Sequence, residues 1–277
     1  MHSLLASLPQ PPYGFKMSGA QSWFTVIQIV LAGGMLLYAI REALRGRGPL
    51  FLYCLIGGAI SVLFEPIVDV LGQCYLPARG QWHAFTLIGR PIPLMMPFVY
   101  CWFVGGQGYL FYRIFKRGID RRQLFQLWAL VFVVNVALET PGLVANVYTY
   151  YGHQPMNIWG FPLWWGFVNP LMPMLAGAVL YRLEPELRRP WALLAAIPLI
   201  PMADGVANAA IGWPVWAGLN TDTGYVGPWI AAFVALGLAA LVVWMLSLLA
   251  ARPSEAPARA EAPIPASVAI PSVPARA

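Results

Sequence analysis

Charged residues are scarce in this chain: Asp, Glu, Lys and Arg make up 10% of its 277 residues, whereas 59% are hydrophobic. Average soluble domains are about 25% charged, and a soluble protein of this length needs far more polar surface to cover itself. Such a composition suits a lipid environment. The net charge of +6 does not indicate nucleic-acid binding, because the basic residues lie in short loops between apolar runs.

Cysteine and histidine are also scarce, with three residues of each. No CxxC pair and no Cys/His metal spacing occurs, and two cysteines lie within apolar runs, so a disulfide framework and a metal site are both disfavoured. We expect no cofactor. Carboxylates alone can hold magnesium, but no Asp-rich diphosphate motif is present. The six residues are Cys54, Cys74, Cys101, His2, His83 and His153.

Long apolar runs dominate the rest of the chain. Seven of them can cross about 30 Å of hydrocarbon as α-helices, and no period-2 pattern indicates a barrel. The fold class is therefore predicted to be all-α, a polytopic membrane bundle of seven transmembrane helices. The predicted spans are 22–40, 50–72, 92–115, 124–146, 160–181, 191–213 and 228–250.

The termini differ from this apolar domain, which we place at 19–251. Residues 1–18 contain Pro9, Pro11 and Pro12 and lack a basic segment followed by a cleavage site. We expect a short polar lead rather than a signal peptide. Residues 252–277 are rich in Pro and Ala, and we expect them to form a disordered cytoplasmic tail.

Basic residues alternate between the two ends of the spans. Loops 147–159 and 214–227 contain no Lys or Arg, and the second-to-third connection has only Arg79 and Arg90. The positive-inside rule therefore predicts the N-terminus outside and the C-terminus inside. The basic residues of the opposite end are Arg41, Arg45, Arg47, Arg113, Lys116, Arg117, Arg121, Arg122, Arg182, Arg188, Arg189 and Arg252.

Four acidic residues lie inside predicted spans, where each costs about 2.5–3.5 kcal/mol at mid-helix. No Lys or Arg occupies the middle of a span to neutralise them. Each of the four belongs to a pair of polar residues four positions apart, which share one helix face. The pairs are Glu65 with Asp69, Asn135 with Glu139, and Asp204 with Asn208, while Asn169 lies in the fifth span.

These polar faces lie at a common depth, roughly 20 Å from the inner edge at ~1.5 Å per residue. A polar layer is thus predicted in the outer half of the bundle. Polar side chains can also simply hold helices together, through hydrogen bonds worth ~1 kcal/mol. Asn or Gln would do this with less desolvation, so the carboxylates favour chemistry. Clustered carboxyls in a low-dielectric cavity resist simultaneous ionisation, which leaves an acid beside a base.

The connection between the fourth and fifth spans is the most distinctive stretch. It contains no Lys or Arg and is dense in Gly, Pro and aromatic residues. An interfacial aromatic belt explains part of this pattern. A shaped lid whose aromatic faces stabilise a cation is the other interpretation. Five residues of this stretch are candidates for substrate binding: Tyr151, His153, Gln154, Trp164 and Trp165. Three asparagines of the spans are further candidates: Asn135, Asn169 and Asn208.

In these residues the chain resembles the AveC family of actinobacterial membrane spirocyclases. The resemblance rests on Glu65-Pro66 with Asp69, on 151–155 (YGHQP) leading to 161–165 (FPLWW), and on Asn169, and it covers roughly 50–245. It implies spiroketal formation, with or without dehydration, in polyketide biosynthesis at a bacterial plasma membrane. The resemblance does not imply which acidic residue acts.

The expected function is a cofactor-independent membrane enzyme for a lipophilic polyketide or terpenoid-like substrate, with the lipid bilayer as its environment. We expect Glu65 or Glu139 as the acid and Asp69 or Asp204 as the base. One alternative is a membrane terpene cyclase. Others are a proton-coupled transporter and a seven-helix ligand sensor. A retinal pigment is excluded, because the only lysines, Lys16 and Lys116, lie outside the spans. The sequence does not indicate whether the chain has a protein partner.

Overall fold

A computed structural model describes residues 9–250, apart from the side chains of Arg188, Pro190 and Ala250. Most of the lead (1–8, with His2) and the whole of the 252–277 tail lie outside the described residues. The described part is mostly helical. Its α-helices are α1 (Gln21–Glu42), α2 (Leu50–Ser61), α3 (Glu65–Leu71), α4 (Met95–Tyr100), α5 (Gln107–Arg117), α6 (Arg121–Val144), α7 (Leu163–Val168), α8 (Leu171–Leu183), α9 (Pro190–Leu193), α10 (Ala196–Leu219) and α11 (Val226–Ala250).

Short turns of other helical types connect some of these elements. π-Helical turns span Ala43–Arg47 and Cys101–Gly106, and 3-10 turns span Val62–Phe64 and Glu186–Arg188. Within the described chain, six helical stretches are long and apolar enough to cross a membrane. They are Gln21–Arg47, Leu50–Leu71, Arg121–Val144, Leu163–Leu183, Trp191–Leu219 and Val226–Leu249.

These six stretches correspond to predicted spans one, two and four to seven. The third, predicted at 92–115, is helical over residues 95–117 but is not among the six. This central helix (α4, the π turn and α5) packs against α1, α2 and α8. Because protein covers most of it, its buried surface carries aromatic and glycine residues where a lipid-facing helix would carry aliphatic ones, as Trp102 and Gly105 illustrate.

Glycines allow the central helix to approach its neighbours closely. A Cβ atom on Gly58 of α2 would lie 2.6 Å from the Gly105 nitrogen and 2.6 Å from the Tyr100 carbonyl oxygen. Gly177 of α8 meets Tyr112 of α5 in the same way, with 2.6 Å to its backbone nitrogen. Small residues commonly allow such close contact between transmembrane helices, where packing rather than the hydrophobic effect holds helices together.

Prolines interrupt the helices beside the predicted polar layer. Pro66 follows Glu65, and the preceding turn Val62–Phe64 is 3-10 because proline disfavours the regular helix behind it. Pro170 separates α7 from α8 immediately after Asn169. Pro141 lies inside α6, two residues after Glu139. Broken helices at membrane depth are tolerated where they line a cavity.

Three antiparallel two-stranded ribbons, which the all-α prediction did not include, form a cap over one end of the bundle (residues 72–94 and 145–162). Glycine, proline and left-handed residues at their turns allow the chain to reverse sharply. β1 pairs with β4, β2 with β3, and β5 with β6. The strands are β1 (Cys74–Tyr75), β2 (His83–Leu87), β3 (Arg90–Pro93), β4 (Thr149–Tyr150), β5 (Asn157–Ile158) and β6 (Phe161–Pro162).

Side-chain amides tie the cap to the helix ends below it. The Gln154 amide donates to the carbonyl of Gly72 at 2.9 Å. The Gln73 amide donates to Leu219 at the end of α10, at 2.8 Å. The pairing of β1 with β4 aligns Cys74 with Tyr150. The second-to-third and fourth-to-fifth connections are therefore one folded unit.

Candidate active site

A cavity of about 140 Å³ lies between the central helix, α1, α3, α6 and the cap. Its wall contains three carboxyl side chains, three asparagines, several aromatic rings and methionines. The polar lining residues are Gln28, Glu65, Asp69, Cys74, Tyr100, Asn135, Glu139, Tyr148, Tyr150, Asn169 and Asn208.

One wall carries Glu65 and Asp69, which lie one helical turn apart and are 7% and 3% exposed. The Tyr100 hydroxyl of the central helix donates to Glu65 Oε2 at 2.5 Å. Glu65 Oε1 receives no hydrogen bond within residues 9–250. The Cys74 thiol of β1 donates to the Asp69 carboxyl. Because thiols are weak donors, both carboxyls of this wall are poorly supplied with hydrogen bonds.

Glu139 of α6 also lines the cavity, and it receives hydrogen bonds on both oxygens. Oε1 accepts from the Asn135 amide at 2.9 Å and the Asn169 amide at 3.1 Å. Oε2 accepts from the hydroxyls of Tyr148 at 3.0 Å and Tyr150 at 3.4 Å. Burial, followed by the neighbouring Glu139 carboxyl, raises the pKa of both tyrosines well above its usual value, so both remain protonated donors.

Asp204 lies behind the cavity wall rather than on it. It is fully buried on α10 and accepts from the Asn208 amide at 2.8 Å. Its second oxygen, Oδ2, has no hydrogen-bond partner among the described residues. Asn208 lines the cavity and also contacts the Met172 sulfur at 3.4 Å. Asp204 is therefore connected to the cavity through Asn208.

The carboxyls of the site are close enough to influence one another. Glu65 interacts electrostatically with Asp69, Glu139 and Asp204, and such groups titrate as one set. No Lys or Arg of the described chain lines the cavity. Arg90 of β3 is the nearest basic influence: it interacts with Asp69 at longer range and is hydrogen-bonded to the Tyr151 hydroxyl.

The π turn Cys101–Gly106 presents aromatic side chains to the cavity. Trp102, Phe103 and Val104 all line it, and the Trp102 indole donates to the Gln28 amide oxygen of α1 at 2.7 Å. π turns inside helices are frequent at functional sites, because the extra residue redirects side chains. Trp165 adds another ring, and its indole N–H has no acceptor among the described residues.

Of the residues predicted to bind substrate, the structure places Asn135, Trp165, Asn169 and Asn208 on the cavity wall. The other four lie outside it. Three of them belong to the cap: Tyr151 is hydrogen-bonded to Arg90, Gln154 is hydrogen-bonded to Gly72, and His153 is exposed, with its ring centroid 4.0 Å from that of Tyr225. The fourth, Trp164 of α7, is buried, with its ring centroid 4.1 Å from that of Trp165.

Sequence reasoning missed the tyrosines that contact the carboxyls. Tyr100 lies on the helix with the least apolar sequence, and Tyr148 and Tyr150 lie in a loop whose fold depends on β1. The alternation of Tyr148 and Tyr150 was an available signal, since residues two apart in a strand share a face. Gln28 and Trp102 gave no comparable signal.

No group of three or more His, Cys, Asp or Glu side chains within residues 9–250 could hold a metal ion. The carboxyls of the site contact tyrosine, asparagine and thiol donors instead. Comparisons with protein-family models, with curated proteins and with solved structures found no match to the chain.

Proposed function

We propose that the chain is a membrane enzyme for cofactor-independent acid–base cyclisation, dehydration or both, acting on a lipophilic polyketide or terpenoid-like substrate. The observation that carries this proposal is a cavity shared by three carboxyls from two helices, without a basic side chain on its wall. An ionisable group at membrane depth is costly and is by default a functional candidate.

The reaction that suits this wall is spiroketal formation. A neutral carboxyl protonates the hydroxyl of a hemiketal, which leaves as water and yields an oxocarbenium ion. A second hydroxyl of the substrate attacks that carbon, a C–O bond forms, and a carboxylate takes the released proton. One water is lost and the protein regains its starting protonation state. Removal of an adjacent C–H proton instead gives dehydration.

Glu65 and Asp69 are the pair best placed to exchange protons with a guest. Both line the cavity, and they lie four residues apart on one face of α3. A carboxyl that donates a proton must be neutral at rest, which low dielectric and neighbouring like charges favour. Asp204 does not reach the cavity wall, so Asp69 is the stronger candidate for the base, once its own proton has passed to the Glu65 carboxylate that the first step leaves. Trp165 also lines the cavity, and its buried indole N–H has no acceptor among the described residues.

We further propose that residues 95–117 form a seventh span, with the N-terminus outside and the C-terminus inside a bacterial plasma membrane. The alternation of basic loops supports this orientation, and it would put the cap and the cavity on the outer side. The resemblance of Glu65-Pro66, 151–155 and 161–165 to AveC-family spirocyclases supports the class of reaction.

The test uses the full chain in lipid nanodiscs with 1,9-dihydroxynonan-5-one and its alkylated homologues. These ketodiols lose one water on closing to a 6,6-spiroketal, and uncatalysed closure gives a racemate. We expect faster closure and an enantiomeric excess by chiral gas chromatography. Glu65→Gln and Asp69→Asn should return the product to a racemate. Glu184→Gln, which alters a surface ion pair with Lys116, is the matched control.

A racemate formed at the background rate by the wild type, across the whole series, would refute the proposal. So would full activity in Glu65→Gln, Asp69→Asn, Glu139→Gln and Asp204→Asn, because these variants keep shape but lose acidity.

A further inference from the structure

Glu139 differs from the other carboxyls of the cavity in its supply of donors. Four neutral groups donate to it, two amides on one oxygen and two tyrosine hydroxyls on the other. Glu65 receives one conventional hydrogen bond, from Tyr100, and Asp69 receives only that of a thiol. All three side chains line the same cavity, so they differ in the hydrogen-bond donors around each carboxyl rather than in their location.

Hydrogen bonds donated to a carboxylate stabilise its ionised form. Burial opposes ionisation of every carboxyl in the cavity, but only Glu139 has four donors that offset this cost. A neutral Glu139 would have to place its own proton among groups that already donate. The resting charge of the site is therefore assigned to Glu139, while Glu65 remains the donor-poor acid.

This negative charge has no counter-ion on the wall. No Lys or Arg lines the cavity within the described chain, and Arg90 of β3 is hydrogen-bonded to the Tyr151 hydroxyl instead. Aromatic rings do line it, including those of Tyr148 and Tyr150, which donate to Glu139. Ring faces attract cations, by about 2 kcal/mol when the contact is desolvated.

Further groups in the wall are left for a guest to satisfy. The Glu65 side chain is buried, with 7% of its surface exposed. Its Oε2 atom accepts from Tyr100, and its Oε1 atom receives no hydrogen bond from the described residues. The Trp165 indole N–H has no acceptor there either. Buried polar atoms without partners call for an explanation. The cavity of about 140 Å³ suits a single small ring.

We propose that this cavity binds a monocyclic organic cation, with Glu139 as its counter-ion and Tyr148 and Tyr150 holding that carboxylate in position. The inference rests on the proposed function to the extent that the oxocarbenium ion would be the occupant during turnover. Tyr148 and Tyr150 are positioning residues, whereas Glu139 contacts the cation.

The probe is N-butyl-N-methylpiperidinium, whose charge does not titrate. Its neutral counterpart is 2-butyltetrahydropyran, a ring ether of similar shape. Isothermal titration calorimetry with the full chain in phosphatidylcholine nanodiscs avoids attraction of the probe to anionic lipid. We expect the cation to bind the wild type at least about tenfold more tightly than the ether, which corresponds to ~1.4 kcal/mol.

Glu139→Gln should remove this preference while ether binding stays within about twofold of wild type. Tyr148→Phe keeps the ring and removes one donor, so it should reduce the preference about threefold without loss of ether binding. The remote Glu184→Gln should retain it. Thermal unfolding of each variant identifies a folding defect, and Tyr148→Phe tests the inference if Glu139→Gln does not fold.

Equal affinity of the wild type for cation and ether would overturn the inference. So would a preference that survives Glu139→Gln but disappears in Glu65→Gln, because the anion would then be Glu65. Failure of the enzyme proposal gives a different result, namely selective cation binding by a protein that forms no chiral spiroketal.

Discussion

Gly58 of α2 provides the sharpest test of how the bundle positions its site. A Cβ atom there would lie 2.6 Å from the Gly105 nitrogen and from the Tyr100 carbonyl oxygen, closer than real Cβ atoms approach such atoms. In Gly58→Ala, α2 and the π turn must therefore separate by about 0.5–1 Å, and overpacking of this kind costs about 1–3 kcal/mol. Tyr100 would move with the π turn, away from Glu65.

The matched control is Gly34→Ala on α1, because nothing lies within 4 Å of the added methyl group. Alanine there gains up to ~1 kcal/mol in helix propensity. At ~2–4 °C per kcal/mol for a chain of this size, Gly58→Ala should melt roughly 2–12 °C below wild type, and Gly34→Ala should not. Intrinsic tryptophan fluorescence in detergent follows the transition. Equal melting temperatures for the two variants would show that the close approach of α2 and the central helix is wrong.

Other perturbations separate chemistry from support. Tyr100→Phe removes the hydrogen bond to Glu65, which is worth about 0.5–1.5 kcal/mol between neutral groups, so the spiroketal assay should show a rate ~2- to 10-fold lower, and the melting temperature should fall by at most ~6 °C. Glu42, 1% exposed, accepts from two arginines, so Glu42→Gln should lower the melting temperature more than Glu184→Gln does, as measured in the same thermal scan. Gln154→Ala removes the side-chain hydrogen bond to the Gly72 carbonyl. It should increase hydrogen exchange in the cap, as measured by mass spectrometry, while exchange in the helices stays unchanged.

The composition and the acidic residues were enough to predict a mostly helical chain with apolar helices long enough to cross a membrane, and to predict several residues of the cavity. Six of the predicted spans correspond to apolar helices. The i,i+4 spacing of Glu65 and Asp69, and of Asn135 and Glu139, put each pair on one face, and the structure brings all four to one cavity. Such periodicity is local, so a single sequence is enough to detect it.

The missed features depend on contacts between distant segments. Glu42 at the end of α1 accepts from Arg113 of the central helix at 2.9 Å, and nothing in the residues around either one indicates the other. Residues 92–115 were predicted as an ordinary span, because apolar length alone does not tell a helix surrounded by protein from one facing lipid. The cap is formed where β1 meets β4, across more than seventy residues of sequence.

The carboxyls of the cavity come from two helices, which separates the roles that they would have in the proposed reaction. Glu65 and Asp69 come from one helix, and the proposed reaction would pass a proton between them while the guest stays in place. Glu139 comes from α6, and its four donors are provided by that helix, the α7–α8 break and the cap. Because its hydrogen bonds are already formed before a guest binds, Glu139 need not reorganise as positive charge develops, which is the condition under which electrostatic stabilisation is most effective. The α3 carboxyls have few such bonds to break, and this leaves them free to exchange protons. The hydrogen bonds that each carboxyl receives therefore support the proposed roles, a fixed charge on Glu139 and proton exchange at Glu65 and Asp69.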